Sequence, residues 1–134
     1  MKYLLDTNAC VVHLRGKDEY LTSRLTAASP GEVAICSVVK AELRYGAERS
    51  ANPFKNHAHL QRFFVSLPSL PFDDSAADVY GRIRAQLETL GTPIGPNDLM
   101  IAATALSGGL ILVTHNKSEF SRVPGLLFED WQTI

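Results

Sequence analysis

The chain has 134 residues, of which 46% are apolar and 20% charged, and its formal net charge is −1. This length suits one domain with its own core, and the composition excludes a disordered or fibrous protein. Thirteen basic residues against fourteen acidic ones also exclude a protein that holds nucleic acid by overall positive charge. Any polyanion must therefore be bound by local groups of cations.

The first half of the chain alternates short apolar runs with helical patterns. The expected elements are strands over residues 2–5 and 33–36, and helices over residues 8–16, 18–28 and the segment after residue 37. Asn8 and Ser37 are residues that cap helices well, so we expect them at the starts of the first and third helices.

The second half continues this alternation. A helix is expected to begin at Pro53, where a proline fits the first turn, and to be followed by a strand over residues 70–72. Asp73 or Asp74 is expected to cap the next helix, and Gly91 to end it. The pattern then predicts a helix over residues 98–107 and a buried strand over residues 110–113.

Helices that separate every pair of strands, without a hairpin signal, predict right-handed βαβ units. We therefore expect an α/β fold, a three-layer α/β/α domain with a central, mainly parallel sheet that spans residues 1–134. In such sheets the ligand crevice lies beyond the carboxyl ends of the strands. Asp6, Thr114 and Glu119 are expected at that edge because of their places after strands.

Cysteine usage and the apolar segments predict an intracellular protein. Cys10 and Cys36 form no CxxC or Cys/His pattern, so we expect two reduced core thiols. Asp6 interrupts the first apolar run too early for a signal peptide. The uncharged residues 99–116 are divided by Gly108 and Gly109, which favours a helix and a strand over a membrane span. We expect a cytoplasmic location and no membrane partner.

Four acids lie where this fold would bring them together: Asp6, Glu42, Asp98 and Glu119. Carboxylate oxygens suit Mg²⁺ or Mn²⁺, and several in one cleft repel each other unless a cation lies between them. The four histidines have no zinc-binding spacing. The pattern predicts a magnesium-dependent nuclease.

Each acid also has a structural interpretation that the sequence leaves open. Asp6 would then cap a turn, and Glu42 would pair with Lys40 or Arg44 on a solvated helix face. Asp98 would complement a helix dipole next to a capping Asn97, and Glu119 would be exposed to solvent. Near the last acid, His115 could contact a phosphate, and Lys117 and Arg122 are candidate cations for a polyanion.

The four segments LLDTN, AELRYGA, GPNDLMIAA and VTHNKSEF, in this order and spacing, resemble the PIN-domain ribonuclease toxins of the VapC family. The resemblance covers essentially the whole chain. It implies a parallel sheet between helices, RNA as substrate, and Mg²⁺ or Mn²⁺ as cofactor. It also implies a homodimer and a cognate antitoxin whose tail blocks the acidic cleft.

The resemblance assigns the first three acids, which would bind the metal, to Asp6, Glu42 and Asp98. The supporting positions fall on Thr7, Asn8, Thr114 and Asn116. The chain departs from the family at the fourth acid, where Asn116 is neutral and Glu119 carries the nearest charge. The fourth ligand and a second metal ion therefore stay open.

The resulting hypothesis is metal-assisted hydrolysis of a phosphodiester in RNA by Asp6, Glu42, Asp98 and Glu119. Transfer RNA, a ribosomal RNA loop and messenger RNA are all possible substrates. A first alternative is a phosphatase or phosphotransferase that uses Asp6 as nucleophile, although a second Asp two residues later is replaced by Asn8. A second alternative is a catalytically silent domain that binds RNA or a protein partner.

Overall fold

The computed structural model describes residues 1–133, and within this range the chain forms five strands and seven helices. The strands are β1 (Tyr3–Leu5), β2 (Val33–Cys36), β3 (Ser69–Leu70), β4 (Ile111–Val113) and β5 (Phe128–Glu129). The helices are α1 (Thr7–Leu14), α2 (Glu19–Ala27), α3 (Ser37–Glu48), α4 (Pro53–Phe64), α5 (Asp74–Thr89), α6 (Pro96–Gly108) and α7 (Lys117–Phe120).

The strands form one sheet in the order β3-β2-β1-β4-β5, and every neighbouring pair is parallel. The predicted α/β fold with a parallel sheet is confirmed. The strands β2 and β3 lie on one side of β1, and the strands β4 and β5, which follow later in the chain, lie on its other side. The order of the strands therefore reverses between β1 and β4, where open parallel sheets bind their ligands.

The core consists of the central strands and the helix α6. Leu4, Ala34 and Leu112 pair across three neighbouring strands and are completely buried, as expected for a parallel sheet covered on both faces. In α6 the residues from Ile101 to Ala105 are all buried, and this helix packs against α5 and α3. A buried helix of this kind holds its first turn firmly at the edge of the sheet.

Two capping predictions, Asn8 and Ser37, are wrong, and the alternative in which Asn97 caps a helix is also excluded. Asp6, and not Asn8, caps α1, because its carboxylate accepts a hydrogen bond from the Ala9 backbone N–H. The helix α3 begins at Ser37 itself, so that Cys36 lies at the capping position and no side chain caps this helix. Similarly, α6 begins at Pro96, which is well suited to a first helical position, and Asn97 is inside the helix.

Two elements near the carboxyl terminus, α7 and β5, were not predicted. They contain four and two residues, too few for a clear hydrophobic period, and β5 becomes a strand through its pairing with β4. The other differences are shifts of element ends: β3 lies at 69–70 instead of 70–72. No helix between residues 1 and 133 is both long and apolar enough to span a membrane.

Candidate active site

The candidate site lies at the carboxyl ends of β1 and β4, where the strand order reverses. Asp6 directly follows β1 and Thr114 directly follows β4. The Asp6 backbone N–H donates to the carbonyl oxygen of Val113 at 3.1 Å, which joins the two strand ends. The expected position of Asp6 and Thr114 at this edge is thus what the structure shows.

Asp6 is a buried carboxylate with two hydrogen-bond donors. Its Oδ1 accepts from the Ala9 N–H at 2.8 Å, and the Thr114 hydroxyl also bonds to the carboxylate. Burial raises the pKa of Asp6, these two donors lower it, and the negative charges of Glu42 and Asp130 raise it further, so that the net shift is upward. Asp6 therefore caps α1, which is the structural role that the sequence left open, and it also lies close enough to Glu42 and Asp130 to feel their negative charges.

Glu42 points toward α1 and α6 rather than toward the cations on its own helix. The Thr7 hydroxyl donates to its Oε1, and Asn97 Nδ2 lies 3.4 Å from its Oε2. Lys40 and Arg44 instead both lie over the ring of Phe64 on α4, each 5.0 Å from the ring centroid. The alternative in which Glu42 pairs with Lys40 or Arg44 does not describe this structure.

Asp98 and Glu119 meet on the other side of the cleft. Asp98 lies in the first turn of α6, and Glu119 lies in α7, where its Oε2 accepts a hydrogen bond from Asn116 Nδ2 at 2.7 Å. The pKa of Asp98 is raised to about 6. The largest cause is desolvation by burial, followed by the negative charges of Glu119, Glu42 and Asp6 and by a hydrogen bond with Glu119. All four acids selected from the sequence therefore lie close enough to influence one another.

The acids are not arranged as a finished metal-ligand shell. Among residues 1–133, no three or more His, Cys, Asp or Glu side chains are grouped so that they could hold a metal ion. The chemistry of the donors nevertheless fits Mg²⁺, because the cleft offers hard, anionic oxygens whose mutual repulsion a cation would relieve. A metal ion would have to draw these carboxylates closer together than they lie here.

A fifth acid, Asp130, was missed by the sequence analysis. It follows β5, and its Oδ2 accepts from His115 Nδ1 at 2.9 Å and lies 3.6 Å from Lys117 Nζ. Burial raises the pKa of Asp130, but the Gln132 backbone N–H and these two cations outweigh it, and the net pKa is lowered. Its sequence signal was its place after a strand, which could not be used because β5 itself was not predicted.

The four supporting residues differ in their contacts. Thr7 bonds to Glu42, and the buried Thr114 bonds to Asp6 and accepts from the Asn116 backbone N–H at 3.0 Å. Asn116 also donates its side chain to Glu119. Asn8, by contrast, is exposed on α1. Thr7, Thr114 and Asn116 therefore support the acids by hydrogen bonds, whereas Asn8 bonds to none of the acids among residues 1–133.

The cleft of acids at the reversal point of a parallel sheet places the protein in the class of α/β proteins with an acidic site at the carboxyl edge of the sheet. Residues 3–126 match the model of the PIN domain. Over 131 residues the chain is 43% identical to the tRNA(fMet)-specific endonuclease VapC of Salmonella typhimurium and 44% identical to that of Shigella flexneri. Each alignment covers 98% of both proteins.

Solved structures agree with these relatives. The DNA-bound VapBC complex of Salmonella typhimurium contains a chain that superposes with a TM-score of 0.93 at 43% identity, covering 98% of both chains. The VapBC2 complex of Rickettsia felis gives a TM-score of 0.90 at 35% identity, covering 98% of this chain and all of that one. The chain belongs to the PIN-domain family and, within it, to the VapC ribonucleases.

Proposed function

We propose that this ribonuclease is the toxin of a toxin-antitoxin pair and that it cleaves structured RNA with Mg²⁺ held by Asp6, Glu42 and Asp98. The observation that carries the proposal is that acids from four distant segments meet at one edge of the sheet, close enough for the charges of Glu119, Glu42 and Asp6 to raise the pKa of Asp98. Carboxylates that repel each other in this way are stabilised by a divalent cation. Mn²⁺ has the same ligand preference and is the expected substitute.

We assign the fourth position to Glu119 rather than to Asn116. Glu119 carries a charge and contacts Asp98 directly, whereas Asn116 is neutral and donates its amide to Glu119. In this arrangement Asn116 orients the carboxylate of Glu119, just as Thr7 orients that of Glu42. Partners of this kind fix the direction of a ligand and tune its basicity.

The chemistry assigned to the site is hydrolysis of a phosphodiester. When bound, Mg²⁺ supplies positive charge that offsets the charge developing on the phosphate and makes water more acidic. One carboxylate of the cleft would accept the proton of the attacking water. The hydrogen bonds from Thr7 to Glu42 and from Thr114 to Asp6 keep two of the carboxylates in place.

Transfer RNA is the first substrate to test. Two relatives that are 43% and 44% identical are named tRNA(fMet)-specific endonucleases, and we extend this substrate to the present chain. The solved relatives are VapBC complexes, which supports a cognate antitoxin as the protein partner. The homodimer implied by the family resemblance stays a prediction.

The test is cleavage of an initiator tRNA transcript by the wild-type chain and by Asp98→Asn. An elongator tRNA, a ribosomal RNA fragment and a messenger RNA serve as competing substrates. We expect cleavage with Mg²⁺, no cleavage after exhaustive chelation, and a loss of at least about 100-fold in Asp98→Asn, because one charged ligand and its effect on the transition state are removed. Asp78→Asn is the matched control, since Asp78 is an exposed residue of α5.

Other results would favour the alternatives. Cleavage that survives chelation, or full activity of Asp98→Asn, would contradict the metal mechanism. A phosphoryl group trapped covalently on Asp6 would instead establish a phosphatase or phosphotransferase. Tight binding of RNA without any cleavage would indicate a catalytically silent binding domain.

A further inference from the structure

Next to the acidic cleft lies a cluster of three ionisable residues, His115, Lys117 and Asp130, that the mechanism does not use. One oxygen of Asp130, Oδ2, accepts from His115 Nδ1 at 2.9 Å and lies 3.6 Å from Lys117 Nζ. Its other oxygen, Oδ1, accepts from the Gln132 backbone N–H at 3.0 Å. The carboxylate is thus fixed to the backbone and holds two basic side chains side by side.

This cluster is continuous with the site. His115 is flanked along the chain by Thr114, which bonds to Asp6, and by Asn116, which bonds to Glu119. The charge of Asp130 also contributes to the raised pKa of Asp6, so the cluster lies within electrostatic range of the first metal-binding acid. His115 follows β4 and Asp130 follows β5, so the cluster and the acids share the carboxyl edge of the sheet.

The two basic side chains are anchored at one end and open at the other. The side chain of Asp130 is 14% exposed, whereas those of His115 and Lys117 are 44% and 59% exposed. His115 uses Nδ1 for Asp130, and its Nε2 has no hydrogen-bond partner among residues 1–133. Asp130 occupies only one ring nitrogen of His115 and lies 3.6 Å from Lys117 Nζ, so both side chains keep an open end that can reach a second anion.

We propose that His115 Nε2 and Lys117 Nζ bind a phosphate of the RNA backbone next to the scissile one, with Asp130 as the residue that positions both. The inference rests on the proposed function, because it assumes RNA at the acidic cleft. A phosphate offers oxygens to both groups, and charge-assisted bonds of this type are the stronger hydrogen bonds in proteins.

The electrostatics of the chain explain why such a contact is needed. The net charge is −1, and the cleft itself contains several carboxylates that repel a polyanion. Protein binding to nucleic acid is driven largely by contacts of Lys and Arg with phosphates and by release of counterions. A pair of cations at the rim of the cleft supplies this attraction locally without neutralising the acids that bind the metal.

The experiment measures the affinity for a fluorescent initiator tRNA transcript in the Asp98→Asn background with chelator, so that the RNA is not cut. The variants Lys117→Gln and His115→Gln are compared over a series of KCl concentrations. We expect each to weaken binding by roughly 5- to 10-fold, because solvent screening at these exposed side chains reduces a charge-assisted contact to the size of an ordinary hydrogen bond. For Lys117→Gln the slope of log K against log salt should fall by about 0.7 to 0.9, one phosphate contact.

Two further variants separate a phosphate contact from a structural effect. Lys117→Arg keeps the charge and should retain most of the affinity and the salt slope. Lys2→Gln removes a lysine that precedes β1, at the opposite edge of the sheet, and should leave the affinity within about 2-fold of the parent. With the cleaving chain, Lys117→Gln should raise KM and leave kcat nearly unchanged, because the contact is made before and during the reaction.

The outcomes distinguish the inference from the proposed function. If the wild-type chain cleaves RNA while Lys117→Gln and His115→Gln bind as tightly and with the same salt slope as Lys2→Gln, the phosphate site is wrong and the nuclease proposal stands. A failure of Lys117→Arg to restore binding also contradicts it. If the wild-type chain neither binds nor cleaves any of the tested RNAs, the proposed function falls and the phosphate site with it.

Discussion

The hydroxyl of Thr7 donates a hydrogen bond to Oε1 of Glu42, so that the first residue of α1 is tied to the middle of α3 across the cleft. Thr7 follows Asp6 directly in the chain, and Asp6 is fixed by the Ala9 N–H and the Thr114 hydroxyl. The orientation of two acids from distant segments therefore depends on one strand end.

Replacing Thr7 by Val should weaken catalysis without unfolding the protein. Valine has nearly the same shape but cannot donate to Glu42, which would then be free to rotate away from the cleft. Removing a partner that orients a metal ligand costs about 10- to 100-fold in activity or metal affinity. The cleavage rate and the Mg²⁺ concentration at half-maximal rate provide the measurement. Thr89→Val, at the exposed end of α5, is the control and should keep full activity.

The stability of the metal-free protein should depend on pH through Asp98. Its pKa is about 6 in the folded chain, against 3.8 for a free aspartate side chain, so the folded state binds the proton more tightly. Stability contributed by this group is therefore present at low pH and is lost as the pH rises from about 4 to above 6. The rise of the pKa from 3.8 to about 6 corresponds to about 3 kcal/mol, which screening at this partly exposed site reduces to about 1 kcal/mol.

The measurement is the thermal midpoint of the wild-type chain and of Asp98→Asn at about pH 5 and pH 7.5, with chelator present. We expect Asp98→Asn to gain about 2 to 5 °C over the wild type at the higher pH and less at the lower one. Burial lowers the pKa of His13, so the stability that His13 contributes rises with pH over an overlapping pH range. Both proteins contain His13, so this contribution cancels in the difference between their thermal midpoints. An equal difference at both pH values would contradict a raised pKa at Asp98.

Glu119→Gln should decide which residue provides the fourth position. The substitution keeps the length and removes the charge that contacts Asp98. We expect a loss of activity of about 10-fold or more, a higher Mg²⁺ requirement, and less repulsion on Asp98. Glu88→Gln on α5 is the control, because Glu88 pairs with Arg84 on an exposed face. Unchanged activity of Glu119→Gln would exclude Glu119 from the metal site.

Cys10 and Cys36 should behave as inert thiols in the folded protein. Both are buried and free, and burial is the first cause of the raised pKa of each. Because the thiolate is the reactive form, we expect neither to react with iodoacetamide until the chain is unfolded. Mass spectrometry before and after addition of denaturant provides the measurement. Rapid alkylation of either residue in the native protein would show that the site opens readily.

The sequence predicted the parts of the structure that depend on hydrophobic period and on position after a strand. The buried strands and the apolar helix α6 carry strong patterns, and these determine the sheet and the places of Asp6 and Asp98. The side on which Glu42 lies could not be decided, because its helical position borders both the core and the solvent. Its contact with Thr7, 35 residues away, settles this question.

Asp130 shows the other limit of sequence reasoning. Its place near the site follows from β5, a strand of two residues whose identity comes from pairing with β4 and not from its own composition. Asn97 is a similar case, since a residue typical of helix caps instead donates to Glu42 from within α6. Local propensity predicts helix ends only where no tertiary contact competes for the same side chain.

The most direct test of the central claim is a count of Mn²⁺ ions bound per chain, measured by electron paramagnetic resonance on the wild-type protein and on Asp98→Asn without RNA. We expect at least one Mn²⁺ per wild-type chain, displaced by excess Mg²⁺, and a large loss of binding in Asp98→Asn while Asp78→Asn binds normally. A wild-type chain that cleaves RNA but binds no Mn²⁺, or an Asp98→Asn variant that binds it as tightly, would contradict the assignment of these acids to a metal site.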